Sequence, residues 1–189
     1  MRRLVSHALI TWLAALAVGP LHAADSDTTT PISVKAVKNG ESVIVDAEFS
    51  VAVPPRQAWE VLTDFGHMAN FITNVKLSNI TEHHGNHLRV AQQGSARHGP
   101  LHFDFDSIRE IELTPIEKIV SHVVSGSVKK LDGTTLVTAD GAGTHVVYHA
   151  ESIPNTYVPP ILGPSFIENE TRHQFEEMRG EMLRRKAAP

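Results

Sequence analysis

The sequence contains no cysteine. That excludes disulfides and thiolate metal sites, and it excludes a lipid-anchored precursor, which needs a cysteine at its processing site. The chain must therefore be held by an ordinary apolar core. Long basic tracts are missing as well. The formal net charge is −4, and phosphate neutralisation needs clustered Lys and Arg, so nucleic acid is excluded as a partner. The short run Arg184, Arg185, Lys186 reads as favourable positive charge at a helix C-terminus. Nor does the chain hold a Gly-x-Ser-x-Gly elbow of the kind that presents a nucleophilic serine. Gly141-Ala142-Gly143-Thr144 is a turn between strands and not a phosphate loop, because no helix follows it.

Histidine is abundant, but its spacing excludes a metal site. His83, His84 and His87 surround a turn at Gly85-Asn86, and His98 and His102 flank another. Neighbouring His83 and His84 point to opposite faces of a strand and cannot easily share an ion. His145 and His149 share a face, yet lie about 13 Å apart along it. Three or four converging ligands are required, so neither a metal nor any other cofactor is expected.

Arg2 and Arg3 precede an apolar run from Leu4 to Val18, followed by Gly19-Pro20 and the small residues Ala23 and Ala24. This is the layout of a secretory signal peptide over 1–23, with cleavage after Ala23 and a periplasmic or secreted product. Residues 24–40 are polar and read as a flexible lead-in, leaving 41–187 as one domain large enough for a single core.

Within that domain Val43, Val45, Ala47, Phe49 and Val51 alternate with mostly polar residues, the period of a strand with one apolar face. Pro54-Pro55 stops the strand and starts a helix carrying Ala58, Val61, Leu62 and Phe65, with a second short helix over 67–72. From Val75 to Pro154 the pattern is strands separated by turns at 84–86, 98–100, 114–115, 130–133 and 140–143. A coil with four prolines follows. Ile167, Thr171, Phe175, Met178 and Met182 then form one stripe of a long amphipathic helix. A sheet with one apolar face must cover it. The reading is an α+β chain: a curved antiparallel sheet wrapped around a long C-terminal helix, with two short helices after the first strand. Such an arrangement tends to leave a cleft between sheet and helix, where apolar ligands bind.

The segment Val53-Pro54-Pro55-Arg56-Gln57-Ala58-Trp59-Glu60-Val61-Leu62-Thr63-Asp64-Phe65 resembles the first helix of the START-like, Bet v 1-type superfamily (SRPBCC), in its polyketide cyclase/dehydrase branch. Met68 to Val75 is similar to that family's second short helix. Gly126, Leu131, Gly133-Thr134, Gly143-Thr144, Val146, Tyr148 and Pro154 resemble the strand–turn pattern of the coenzyme Q-binding proteins. The resemblance covers about residues 43 to 185 and implies the helix-grip fold. It also implies a small hydrophobic ligand held in a cavity: a lipid, a quinone or an aromatic metabolite.

Cavity candidates are Phe49, Val51, Trp59, Phe65, Phe71, Phe103, Phe105, Tyr148, Phe175, Met178 and Met182, since Phe and Met offer adaptable, polarizable surface. For any one of them the plainer role is solid core. Catalysis would need a polar group aimed inward, and Tyr148, His122, Asp104, Asp106 and Arg109 are the residues to ask about. If Phe103 and Phe105 face inward, Asp104 and Asp106 face water. The leading expectation is binding without turnover, for transport or sequestration, with transient contact with a membrane. A cyclase- or hydrolase-type enzyme would need an ionisable cavity group of perturbed pKa. A partner-binding role would need an exposed apolar patch. Nothing in the sequence specifies an oligomeric state.

Overall fold

The computed structural model describes residues 31–98, 101–154 and 163–186. The segment read as a signal peptide lies outside them. The first described element departs from the sequence reading: Ser33–Asn39, expected within the flexible lead-in, is strand β1. It pairs with β2 (Ser42–Val51) in the register Asn39↔Ser42 to Ser33↔Glu48. The cause is legible afterwards in Asn39-Gly40, a strong short-range hairpin signal. Gly40 takes φ 61°, which favours a residue without a Cβ.

Pro54-Pro55 ends β2 and opens helix α1 (Pro55–Leu62), proline occupying the first turn where its missing N–H costs nothing. A 3-10 turn at Met68–Asn70 follows. Six strands come next: β3 (Val75–His84), β4 (His87–His98), β5 (Leu101–Thr114), β6 (Lys118–Gly126), β7 (Val128–Asp140) and β8 (Gly143–Pro154). One boundary moves. Residues 130–133, read as a turn, run inside β7, and the chain reverses at Gly126-Ser127 instead, where Gly126 has φ 136°. Gly133 is needed in mid-strand for space, since a Cβ there would stand 2.9 Å from Ser121 Oγ on the neighbouring strand.

All pairings are antiparallel, in the order β1-β2-β8-β7-β6-β5-β4-β3. Helix α2 (Pro164–Lys186) lies across the inner face. The main core forms where α1 and the end of α2 close onto β2 and β8, around Val51, Val53, Val61, Val146, Phe175 and Met182. Phe175 sits between two sheet rings, 5.4 Å from Phe49 and 5.4 Å from Tyr148, the latter edge-on.

Polar side chains hold α2 in place. The backbone N–H of Ala36 in β1 donates to Glu168 Oε1 (2.8 Å), and Arg172 donates to the Ile32 carbonyl. Midway, Asn74 donates to Glu170 (3.2 Å) and accepts from Gln174 (3.1 Å), while the Thr73 N–H donates to Glu177 (3.0 Å). Near the C-terminus Gln57 donates to the Met182 carbonyl (2.8 Å), and Arg185 bridges Glu181 (2.8 Å) and Asp64 (2.6 Å). These contacts fix the helix at both ends and along one side. They leave a gap beneath its middle.

Candidate functional site: a cavity between helix and sheet

That gap is a cavity of about 350 Å³. Thr171, Gln174, Phe175 and Met178 of α2 form its roof, and Leu62, Phe65, Met68 and Ile72 close one end. The floor comes from positions on six strands, from Val75 on β3 to Tyr148 on β8. Its size falls at the lower end of the roughly 300–1,000 Å³ typical of small-molecule sites.

The expected lining residues separate into groups. Phe65, Phe105, Tyr148, Phe175 and Met178 border the cavity. Phe49, Val51 and Met182 do not; they belong to the solid core, nearer the end where α1 and α2 meet the sheet. Trp59 and Phe71 pack on the outside of that core, half-buried, and Phe71 carries the Arg185 guanidinium 5.6 Å above its ring. Phe103 lies in β5, and its side chain falls outside the described residues.

The polar candidates also separate. His122 sits on the outer face, paired with Asp132 at 2.6 Å. Asp104 is exposed and meets Lys76 at 3.1 Å. Asp106 is exposed at the cavity mouth, where it accepts from Ser127 Oγ at 2.9 Å. Only Arg109 and Tyr148 among these five reach the interior.

Arg109 gets there by strand alternation. Phe105, Ser107, Arg109, Ile111 and Leu113 share the inner face of β5, so a cation occupies a place where the period-two pattern calls for an apolar residue. Its one hydrogen-bond partner among the described residues is Gln92 Oε1. Gln92 is held in turn: its amide donates to Ser78 Oγ (2.8 Å) and to the Met68 sulfur (3.3 Å), and Ser78 donates to the Phe65 carbonyl. The Arg109 Nε is buried without any partner. Burial pulls the guanidinium pKa below its ordinary value, with Tyr148 acting the other way. Burial likewise pushes the Tyr148 phenol up, partly offset by Arg109. Gln92, Ser121 and Thr135, which sequence reasoning did not single out, complete this polar end. Among the described residues no group of three or more His, Cys, Asp or Glu side chains is arranged to hold a metal ion.

Residues 42–187 match the family model described as polyketide cyclase / dehydrase and lipid transport. The chain belongs to this family. Solved structures agree on the polyketide cyclase / dehydrase and lipid transport fold. The Zhui aromatase/cyclase from Streptomyces sp. R1128 superposes with a TM-score of 0.67 at 18% identity, covering 78% of this chain and 97% of that one. A STAR-related lipid transfer protein fragment from Xanthomonas axonopodis gives 0.68 at 12% identity, covering 80% and 92%. A START superfamily protein from Mycobacterium smegmatis gives 0.63 at 13% identity, covering 75% and 97%. No curated protein matches by sequence. At these identities the structures establish the helix-grip fold alone, and a fold does not select a function.

Proposed function

We propose that the protein binds one hydrophobic small molecule in the cavity beneath α2 and carries or sequesters it without turnover, after export to the periplasm. The observation that carries the binding reading is the cavity itself, walled largely by apolar side chains and roofed by Phe175 and Met178. Export rests on the N-terminal pattern of Arg2, Arg3 and the apolar run behind them. The interior offers poor material for proton shuttling at neutral pH, which favours a group poised near 7. Its ionisable side chains are an arginine and a phenol pushed further up, and the nearest carboxylate, Asp106, stands at the mouth. Exposed large apolar residues are spread over five strands (Val37, Leu77, Ile108, Val124 and Leu136 among them), which favours a cavity over a docking patch as the working surface.

Native mass spectrometry of the purified protein, followed by organic extraction, tests the reading. A bound lipid-like or aromatic compound is expected; protein that is empty from every source and takes up no apolar probe would remove it. Cell fractionation with N-terminal sequencing tests export, and a soluble periplasmic product starting at Ala24 is expected.

A second reading, a cyclase-type enzyme, draws support from two ionisable groups facing one cavity, Arg109 and Tyr148. A cation beside a phenol can stabilise an enolate oxygen. It requires the extracted compound to change when Tyr148→Phe replaces the native protein in the producing cell.

A further inference from the structure

Arg109 is half-buried in the cavity wall, with its Nε fully buried, yet it pairs with no carboxylate among the described residues. Gln92, its acceptor, is neutral and already committed to Ser78 and Met68. Asp106, on the same strand, stands exposed at the cavity mouth and is tied to Ser127. A guanidinium has five N–H donors in one plane and no acceptor. Here one bond to Gln92 accounts for the hydrogen bonding found, and Nε has no partner. Tyr148 lines the same cavity within electrostatic reach of Arg109, and its hydroxyl makes no hydrogen bond among the described residues. An apolar cavity thus carries two donor groups within electrostatic reach of each other and no internal anion to answer them. Buried charges are otherwise paired.

The complement of this pair is an acceptor-only group with negative charge. A carboxylate takes an arginine side-on through two oxygens and leaves a lone pair for a phenol. A hydrocarbon, sterol or neutral carbonyl would fill the volume and leave the cation uncompensated. We infer that the ligand is an amphipathic carboxylic acid, bound through its head group at this pair. Its carboxylate would lie between Arg109 and Tyr148, its apolar body along Phe105, Ile119, Phe175 and Met178. The inference rests on the proposal that the cavity binds an apolar molecule, and adds the head group. A straight-chain fatty acid and an aromatic acid share the chemistry.

The test is calorimetric titration of the full chain, kept well above the carboxylate range of pH, with dodecanoate and 2-naphthoate against dodecan-1-ol and 2-methylnaphthalene. At least one acid should bind more tightly than its neutral counterpart; which of the two does so identifies the source. In Arg109→Met that advantage should fall by about 10- to 100-fold, the worth of a hydrogen bond to a charged group. Gln92→Glu, which supplies an internal counter-ion, should lower acid affinity in the same direction while neutral probes keep theirs. Arg109→Met should also raise the melting temperature of the empty protein, whereas an arginine with a purely structural role would lower it. Equal binding of acid and neutral probes, or an acid preference unmoved in both variants, overturns the inference and leaves an apolar-ligand site intact. Failure of every probe to bind removes the apolar-ligand reading and this inference together.

Discussion

Gly94 lies on the inner face of β4, and a Cβ built there would stand 2.1 Å from the Asn74 carbonyl oxygen and 2.4 Å from the Phe105 ring. Backbone and ring cannot both yield, so Gly94→Ala should destabilise by about 1–3 kcal/mol, as overpacking does. The measurement is the urea midpoint at unchanged m-value. Tyr148 is expected to divide into two halves of different worth. Its ring packs 5.4 Å from Phe175, and Tyr148→Ala should cost about 3–5 kcal/mol, like other large-to-small core changes. Its hydroxyl makes no hydrogen bond among the described residues, so Tyr148→Phe should shift stability by under about 1 kcal/mol, because no bond is lost. Both are read from denaturant melts. At this scale the sequence revealed residue type but not depth. Phe49 and Phe65 look alike in the pattern, yet one packs solid and the other borders the void. The difference is set by how far α2 stands off the sheet, which no periodicity encodes. Arg109 is the opposite case, a charge at an inward position of β5, visible to anyone who follows the alternation from Phe105 to Leu113.

Among the elements, α2 is held by charge near its C-terminus. Glu181 is buried, and Arg184 meets it at 2.6 Å while Arg185 meets it at 2.8 Å and continues to Asp64 at 2.6 Å. Hydrogen bonding from Arg184 is the largest cause of a depressed Glu181 pKa; burial opposes it and Arg185 adds to it, and the balance lies at about 2 against an ordinary 4.5. A folded-state pKa below the unfolded value means stability that is fully present above about 4.5 and is lost as pH falls toward 2. The contribution is on the order of 3 kcal/mol at 1.36 kcal/mol per unit. Glu181→Gln should therefore flatten the acid limb of the melting temperature between pH 4.5 and 2, with little change in its shape at higher pH. The elements were the most legible level. Proline placement marked α1, and the four-four-three-four spacing of Ile167 to Met182 marked α2. Two boundaries escaped because glycine has two uses. Gly133 reads as a turn and is a close approach in β7, while Asn39-Gly40, inside a polar stretch, is the turn that makes β1.

For the molecule as a whole, an antiparallel sheet covered by a C-terminal helix follows from an apolar sheet face that must be hidden, while the eighth strand and the order of strands in the sheet do not. The cavity follows from the fold and the family resemblance and not from the apolar stripe, since a stripe that packs and a stripe that roofs a void have the same letters. It can be tested by filling it. Thr135 points into the space from β7 opposite Tyr148. Thr135→Phe should reduce binding of any apolar probe at least tenfold while leaving the melting temperature equal or higher, because the added ring occupies volume already empty. The uncompensated cation on the cavity floor has a consequence beyond binding. A protein that encloses an unpaired charge when empty, and pairs it when loaded, is a less durable molecule without its cargo. Occupancy at a hundred times the dissociation constant adds about 2.7 kcal/mol to folding. Proteases that sample the transiently open chain would then clear unloaded copies faster than loaded ones. The cellular level of the protein would track the supply of its ligand, with no regulator of synthesis involved.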